Sequence, residues 1–319
     1  MRTNLNGRPP QTMAPASPEN FRQYLKAKKS VDDRSLNHWV YHKLTEGLAA
    51  RGESDPLRII EIGCGLGGML ERLWDRRLAS RAAYTAFDRD PDLIAEAGLR
   101  LQEFAQHRGL TILESGGAVR LAGDGQNWLI TLRTEEFSAF CQQQARKTVW
   151  DLVLAHAFLD LVDLAAALPG LFSLLAPDGL YYFTLNFDGL TIIDPPLDPH
   201  LDDTIFQLYH QSMDERQDGA GGHSRTGRRL LSALRRSGSH ILAAGSSDWV
   251  VWPTPSGTYP GEEAYFLHSV LNIIDQTLAG HPELDHDRFQ VWLARRREQV
   301  DSGELIFLAH QVDVCGLRP

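Results

Sequence analysis

The sequence of 319 residues predicts an α/β fold, an open, doubly wound sheet with helices on both faces, and three stretches say so. Arg58-Ile-Ile-Glu-Ile62 is a short β-branched run that passes through Gly63-Cys-Gly-Leu-Gly-Gly68 into the helical periodicity of Met69 to Trp74. Such side chains favour a buried strand, the glycines permit a tight turn with close backbone approach, and the helix N-terminus then faces whatever the turn cradles. Ala83-Tyr-Thr-Ala-Phe-Asp88 is a second strand ending in an acid, after which Asp90 caps and Pro91 opens a helix with Leu93, Ile94, Ala97 and Leu101 on one face and Gly109 as its stop. Val149 to His156 reads as a further strand, the run to Ala176 as a helix, and Leu180 to Leu185 as a return strand. Strands that alternate with helices in this way pair in parallel.

The glycine turn marks a nucleotide-type site. Gly63, Gly65 and Gly68 fit the G-x-G-x-x-G spacing of dinucleotide enzymes, so the spacing alone does not choose between NAD and S-adenosylmethionine. Glu61 tips the balance, because a carboxylate two residues before the first glycine suits the positive amino end or sulfonium of S-adenosylmethionine and would repel a pyrophosphate. Asp88, about twenty residues past the glycines, is placed to accept from both ribose hydroxyls, with Arg89 beside it, and serves either cofactor. Asp90 reads as a cap rather than a ligand group. The competing reading of the turn is a strand-to-helix connection with no ligand.

The stretch from Ile59 to Gly67 resembles motif I of the class I S-adenosylmethionine-dependent methyltransferases, hydrophobic-Glu-hydrophobic-Gly-x-Gly-x-Gly. Leu175-Ala-Pro-Asp-Gly-Leu180 resembles the phrase that starts the fifth strand of that family, with Asp178 in place of its first glycine; Asp-Gly makes the same turn. The resemblance spans about residues 57 to 250 plus the last strand. It implies a three-layer α-β-α sandwich on a seven-stranded sheet whose last strand is antiparallel, and S-adenosyl-L-methionine held by Glu61, Gly63, Cys64, Gly65, Gly67, Asp88 and Arg89. It also implies a polar group after the third strand against the adenine amino group. Thr111 to Glu114 and Ala118 to Leu121, joined by Gly116-Gly117, read as a hairpin, and Leu129 to Glu135 as that third strand, which favours Glu135; Asp124 is the choice if the hairpin is itself the third strand.

Composition bounds the rest. A chain that is 43% hydrophobic and 23% charged can bury a full α/β core and carry elaborations. Its net charge of −9 disfavours a nucleic-acid backbone as main partner and leaves a small-molecule acceptor as the better fit. The three cysteines, Cys64, Cys141 and Cys315, are too scattered for a disulfide framework or zinc site, which points to a reducing, cytoplasmic setting, and no apolar stretch is long enough to span a membrane. Cys64 has no base beside it in the sequence and reads as a small buried residue. Residues 1–16 read as a polar, disordered tail.

In this fold the elaborations choose the acceptor. A helical cover over residues 17–56 comprises one helix capped by Ser17 and a second that turns Leu36, Trp39, Val40, Leu44 and Leu48 inward and closes at Gly52. Tyr24, Lys28, Arg34 and Asn37 could reach the methionine carboxylate or the acceptor, and Arg34 is counted with the cofactor residues; a charged outer face is the plainer use for each. The domain proper, 57–319, carries insertions at about 188–225 and 250–303. In the first, Asn186 to Gly189 leaves the sheet, a helix carries Phe206, Tyr209, His210, Met213 and Arg216, and the glycines from Gly219 to Gly222 break it. Asp194, Asp198, His200, Asp202 and Asp203 could hold a cation, yet a solvated acidic loop is the ordinary reading, and no metal is expected. Arg225, Arg228, Arg229, Arg235 and Arg236 fit a solvated amphipathic helix better than an RNA-binding surface, with Arg225 able to clamp an acidic acceptor. Helices over about 262–279 and 287–300 cover the pocket or make a homodimer contact.

Transfer to oxygen or nitrogen requires a group to receive a proton. His156, at the end of strand four and counted with the cofactor residues too, is the first candidate base, His210 the second and Asp188 the third. The sequence therefore reads as a class I methyltransferase acting on a small-molecule oxygen, nitrogen or carbon acceptor. Competing readings are a methyltransferase acting on RNA or protein, which would show a broad open cleft; a noncatalytic S-adenosylmethionine-binding module, which would leave no room beside the sulfonium; and an NAD-dependent oxidoreductase, which would lack the strand-five phrase and the antiparallel end.

Overall fold

The computed structural model describes residues 17–50, 56–144, 149–215 and 222–319. The expected tail 1–16, the stop at Gly52, Arg216, Gly219 and Gly221 lie outside these. The strands are β1 (Leu57–Ile62), β2 (Arg81–Asp88), β3 (Thr111–Ser115), β4 (Ala118–Gly123), β5 (Gln126–Thr134), β6 (Trp150–His156), β7 (Leu175–Asp194), β8 (His240–Ser246), β9 (Trp249–Val251) and β10 (Ile306–Leu317). They form one ten-stranded sheet in the order β3-β4-β5-β2-β1-β6-β7-β10-β8, with β9 also on β10. From β5 to β7 neighbours run parallel, and β10 is antiparallel to both β7 and β8. The expected seven strands with an antiparallel last strand are all present. The count of seven is corrected to ten because the hairpin β3–β4, turned by Gly116 and Gly117 at φ 59° and 83°, adds to the β5 edge, and β9 takes the free edge of the first half of β10.

Three cores follow from where the helices lie. On one face Ile59, Tyr84 and Trp128 pack with α3 (His38–Ala49), α4 (Gly68–Asp75) and α5 (Pro91–Arg108), which supply Val40, Leu44, Leu73, Trp74 and Leu101. On the other, Ile60, Ile62, Val153 and Phe183 pack with α6 (Phe137–Gln144), α7 (Leu164–Leu174) and α9 (Thr226–Arg236). The third core lies beyond the domain sheet. The strand β7 does not leave the sheet at Asn186 as expected but runs on to Asp194 against Ile306–Ala309 of β10, with Leu185 at φ 53° and register shifts at Ala309/Gln311 and Val312/Val314 where the ribbon bends. The apolar runs Ile192-Ile193 and Ile306-Phe307-Leu308 favour that continued pairing. On the ribbon sit α8 (Pro199–Asp214), α10 (Glu263–Leu278) and α11 (His286–Asp301), packing Phe206, Phe266, Phe289 and Trp292 against Ile193, Val251 and Phe307.

The N-terminal block is three helices rather than two: α1 (Pro18–Ala27), α2 (Lys29–Ser35) and α3. Asn37 ends the expected second helix and caps the third, accepting from the Val40 N–H at 3.0 Å. Trp39, expected inward, is 56% exposed, because the stripe Val40, Leu44 and Leu48 is what faces the sheet. The first two helices contribute Ala27 and Val31 to the third core, whereas α3 belongs to the first. Among the described residues no helix is long and apolar enough to cross a membrane.

Candidate cofactor and acceptor site

The glycine turn lies between β1 and α4, with Gly63, Gly65 and Gly67 at φ 65°, 52° and 77°. Asp88 anchors it: one carboxylate oxygen accepts from the Gly65 N–H at 3.0 Å and the other from the Asp90 N–H at 3.1 Å. Burial pushes the Asp88 carboxyl above its ordinary range. Each oxygen keeps acceptor capacity for a diol. Asp90 is the N-cap of α5, accepting from the Asp92 N–H. Phe158 lies against Gly63, where a Cβ would sit 2.7 Å from its ring. While α1, α3, α5, α7, α8 and α11 start with a side-chain cap, α4 starts at Gly67 with none. The helices α2 (Lys29–Ser35), α9 and α10 also start without one, so it is the turn backbone anchored by Asp88 that fits an adenosyl cofactor.

Glu135 lies at the carboxyl edge of the sheet, its N–H donating to the Asp88 carbonyl at 2.9 Å while its carboxylate takes Arg133 at 2.7 Å. Asp124 occupies the turn between β4 and β5, at the opposite edge. Arg89 is exposed beside Asp88. Glu61 is 1% exposed and accepts from the Tyr84 hydroxyl at 2.6 Å, and burial pushes its pKa to about 7. The carboxylate is therefore held in the core beside Tyr84. Cys64 is buried and its thiol pKa is raised by burial, which leaves it unreactive near neutral pH.

Where β1 and β6 end, beside Thr184 in the middle of β7, a buried polar network joins α2 to α4. His156 Nδ1 and Thr184 Oγ1 are 2.8 Å apart, and His156 Nε2 lies 2.9 Å from the Arg72 guanidinium. An arginine can only donate, so Nε2 accepts and the proton sits on Nδ1, donating to Thr184. Burial, then the Arg72 charge, lowers the His156 pKa to about 4, so the ring is neutral. Arg72 is 7% exposed and also donates to Asp33 through Nε and to Asp32 at 3.5 Å. Asp32 accepts from Lys28 at 2.9 Å and from the Trp249 indole at 2.9 Å. Burial raises the Asp32 pKa, but the Lys28 and Arg72 charges outweigh it and hold the carboxylate ionised. The sequence reading missed Arg72. Its spacing of three from Met69 puts it on the buried side of a short amphipathic helix, where a lone arginine needs partners.

Other candidates find different places. Asp188 is not available as a base: it is 5% exposed and accepts from the Arg228 N–H and Nε at 2.7 and 2.9 Å, capping α9. Arg34 is committed to the buried Glu263 and to the Val250 carbonyl. Asn37 is occupied as a cap, and Tyr24 stacks on Phe266 with ring centres 5.8 Å apart. His210 lies among Phe187, Phe206 and Tyr209 with Nε2 3.0 Å from Thr191 Oγ1, and burial lowers its pKa to about 4. In the acidic loop, Asp198 pairs with Arg288 and Asp202 with Arg296. Arg225, Arg228, Arg229, Arg235 and Arg236 are exposed while Leu230 and Leu234 are buried, the solvated helix expected.

The methyltransferase domain family model matches residues 36–244. This is more than half of the chain, which belongs to that family, the class I fold whose methyl donor is S-adenosyl-L-methionine. Its activity is S-adenosylmethionine-dependent methyl transfer. No curated protein matches the sequence. Among solved structures the chain is similar to an S-adenosylmethionine-dependent methyltransferase from Thiobacillus denitrificans in complex with S-adenosyl-L-homocysteine, at 13% identity and TM-score 0.40, covering 95% of this chain and 93% of that one. It is also similar to the plantazolicin methyltransferase BpumL in complex with S-adenosylhomocysteine, at 14% and 0.40, covering 95% and 92%. A third is the cyclopropane synthase MmaA2 from Mycobacterium tuberculosis, at 11% and 0.43, covering 87% and 83%.

Proposed function

We propose that the chain methylates a small molecule in a site closed between the carboxyl edge of the sheet, α1–α2 and the α8 insertion. The observation that carries this reading is the third core: α1, α2 and both insertions share one apolar interior, so they act as a single lid on the β7–β10 ribbon rather than as the walls of an open groove. Leu25 of α1 stands 3.8 Å from a Cβ position on Gly65, which brings the lid onto the glycine turn.

S-adenosylmethionine supplies an electrophilic methyl group on a sulfonium. The chain supplies position, dryness and a proton acceptor. Asp88 and the turn backbone hold the ribose side, with Glu135 on the adenine side. His156 is the proposed proton acceptor, held by Thr184 through Nδ1; its Nε2 lone pair, which takes Arg72 in this structure, has to be released by Arg72 for that role. His210, also neutral, is proposed to line the acceptor pocket with Phe187 and Tyr209.

The test is to incubate the protein with methyl-labelled S-adenosylmethionine and a cell extract separated into small molecules, RNA and protein. Label is expected in the small-molecule fraction, and loss of that label with His156→Ala at unchanged S-adenosylhomocysteine affinity supports the base. Label confined to RNA or protein overturns the small-molecule reading.

A further inference from the structure

The polar N-terminal side chains that the sequence offered for the cofactor's amino-acid carboxylate are engaged elsewhere. Arg34 is taken by Glu263, Lys28 by Asp32, and Asn37 caps a helix. One buried guanidinium does lie at the turn: Arg72 has its Nη2, Cζ and Nη1 3.6, 3.7 and 3.7 Å from a Cβ position on Gly68, the first residue of α4. It therefore lies between the glycine turn and the end of β6, where His156 meets its Nη1 at 2.9 Å. With the ribose at Asp88, the amino-acid end of the cofactor has to fall on this side.

We infer that Arg72 is the receptor for the methionine carboxylate of the cofactor, and that Asp33 of α2 holds that place as a built-in carboxylate until the cofactor displaces it. The inference rests on the cofactor reading of the glycine turn given above. Three observations fit an exchange rather than a permanent ion pair. Arg72 is 7% exposed, so its charge must always have a carboxylate partner. Asp33 is the more exposed of its two acidic partners, with 38% of its side chain accessible against 3% for Asp32. Asp33 also has a second cation ready, Lys29 at 2.8 Å one helical turn away, so it can leave Arg72 without losing all pairing. Asp32, fixed by Lys28 and the Trp249 indole, stays as the hinge of the network. The exchange ties cofactor arrival to the lid, because Asp33 is one of the direct links between α2 and α4.

The test measures binding of two ligands to the full chain by calorimetry: S-adenosylhomocysteine, which carries the carboxylate, and 5′-methylthioadenosine, which has the nucleoside and sulfur but no amino-acid moiety. Asp33→Asn should tighten S-adenosylhomocysteine by roughly threefold or more and leave methylthioadenosine unchanged. Arg72→Gln should weaken S-adenosylhomocysteine by about tenfold or more, again sparing methylthioadenosine. Since the buried Arg72→Gln chain risks misfolding, Asp33→Asn at the half-exposed partner is the deciding variant. Equal tightening of both ligands would mean that Asp33 only latches the lid, and unchanged or weaker S-adenosylhomocysteine binding would mean that it competes with nothing; either overturns the inference. Failure of the unaltered protein to bind either ligand would instead sink the cofactor reading itself.

Discussion

The carboxyl edge of the sheet and the lid both bury an arginine, and they do so differently. At the edge, Arg72 divides its donors among Asp33, Asp32 and His156, and Asp33 has Lys29 as a further partner. In the lid, Arg296 is 0% exposed and closes on Asp202 at 2.6 Å, the Pro195 carbonyl at 2.6 Å and Gln299 at 2.8 Å, while Trp292 donates to the same Asp202 oxygen. The second set joins α8 to α11, the two insertions, and offers no substitute for Asp202. A network with spare partners can trade them during a reaction cycle; one without them fixes a scaffold. With the exchange inferred for Arg72, buried charge marks the part that trades partners at one end of the molecule and the part held fixed at the other.

The sharpest way to break this comparison is to remove Asp202. Leaving Arg296 buried without its carboxylate should cost about 3–5 kcal/mol, seen as a loss of that size in denaturant unfolding, and Asp202→Ala with Arg296→Met should recover most of it. Matching Asp33→Ala should cost far less, because Asp32 still faces Arg72. Equal costs at the two arginines would erase the distinction between a trading and a fixed network.

Acid should act on the edge and the lid alike, since each buries a neutral histidine. The folded His156 and His210 have pKa values of about 4 against an ordinary value near 6.5. Between those values the unfolded chain binds protons that the folded chain refuses, so stability should fall as pH drops from about 6.5 to 4, by at most about 3 kcal/mol per histidine. Glu61 runs the other way: with its folded pKa raised to about 7, it removes stability as pH rises from about 4.5 to 7. Urea midpoints across this range should lose part of the acid slope in His156→Asn and part of the neutral-side slope in Glu61→Gln. A His156→Asn chain with the parent's acid slope would show that the edge histidine does not titrate as its burial demands.

At the turn, Gly65→Ala should weaken S-adenosylhomocysteine by tenfold or more, about 1.4 kcal/mol, since a Cβ at φ 52° strains the backbone that Asp88 anchors. The lid, which shares no core residue with the turn, should keep its stability. Unchanged affinity in a folded variant would remove the turn from the cofactor site.

What the sequence made legible was local. The strand-glycine-helix pattern at 57–75, the acid at Asp88, the Asp90 cap and the Gly116-Gly117 hairpin each rest on neighbours a few residues apart, and each stands in the structure. What it hid was pairing at a distance. Asp188, on β7, looked free until Arg228 arrived from α9, and Arg34 until Glu263 did, separations of 40 and 229 residues. The run of β7 past Asn186 was hidden for the same reason, because only the β10 register tells that the chain stays in the sheet. Arg72 was legible in principle, as a charge on an apolar stripe, but nothing local says which carboxylates reach it.

The smallest effect concerns two neighbouring acids that the comparison assigns to different duties. The Asp90 carboxylate accepts the Asp92 N–H, so Asp90→Ala should cost about 1 kcal/mol of stability, the usual worth of an N-cap, and leave S-adenosylhomocysteine affinity alone. Asp88 lies one turn residue away but faces the glycines, so Asp88→Ala should cost affinity beyond any loss of stability, through the ribose contact and through the freed Gly65 N–H. Calorimetric affinity set beside the unfolding midpoint separates the two. If both variants lost the same affinity and the same stability, the cap and the ligand group would be one structural unit, and the division of the sheet edge into exchanging and fixed parts would have to be drawn somewhere other than Asp88.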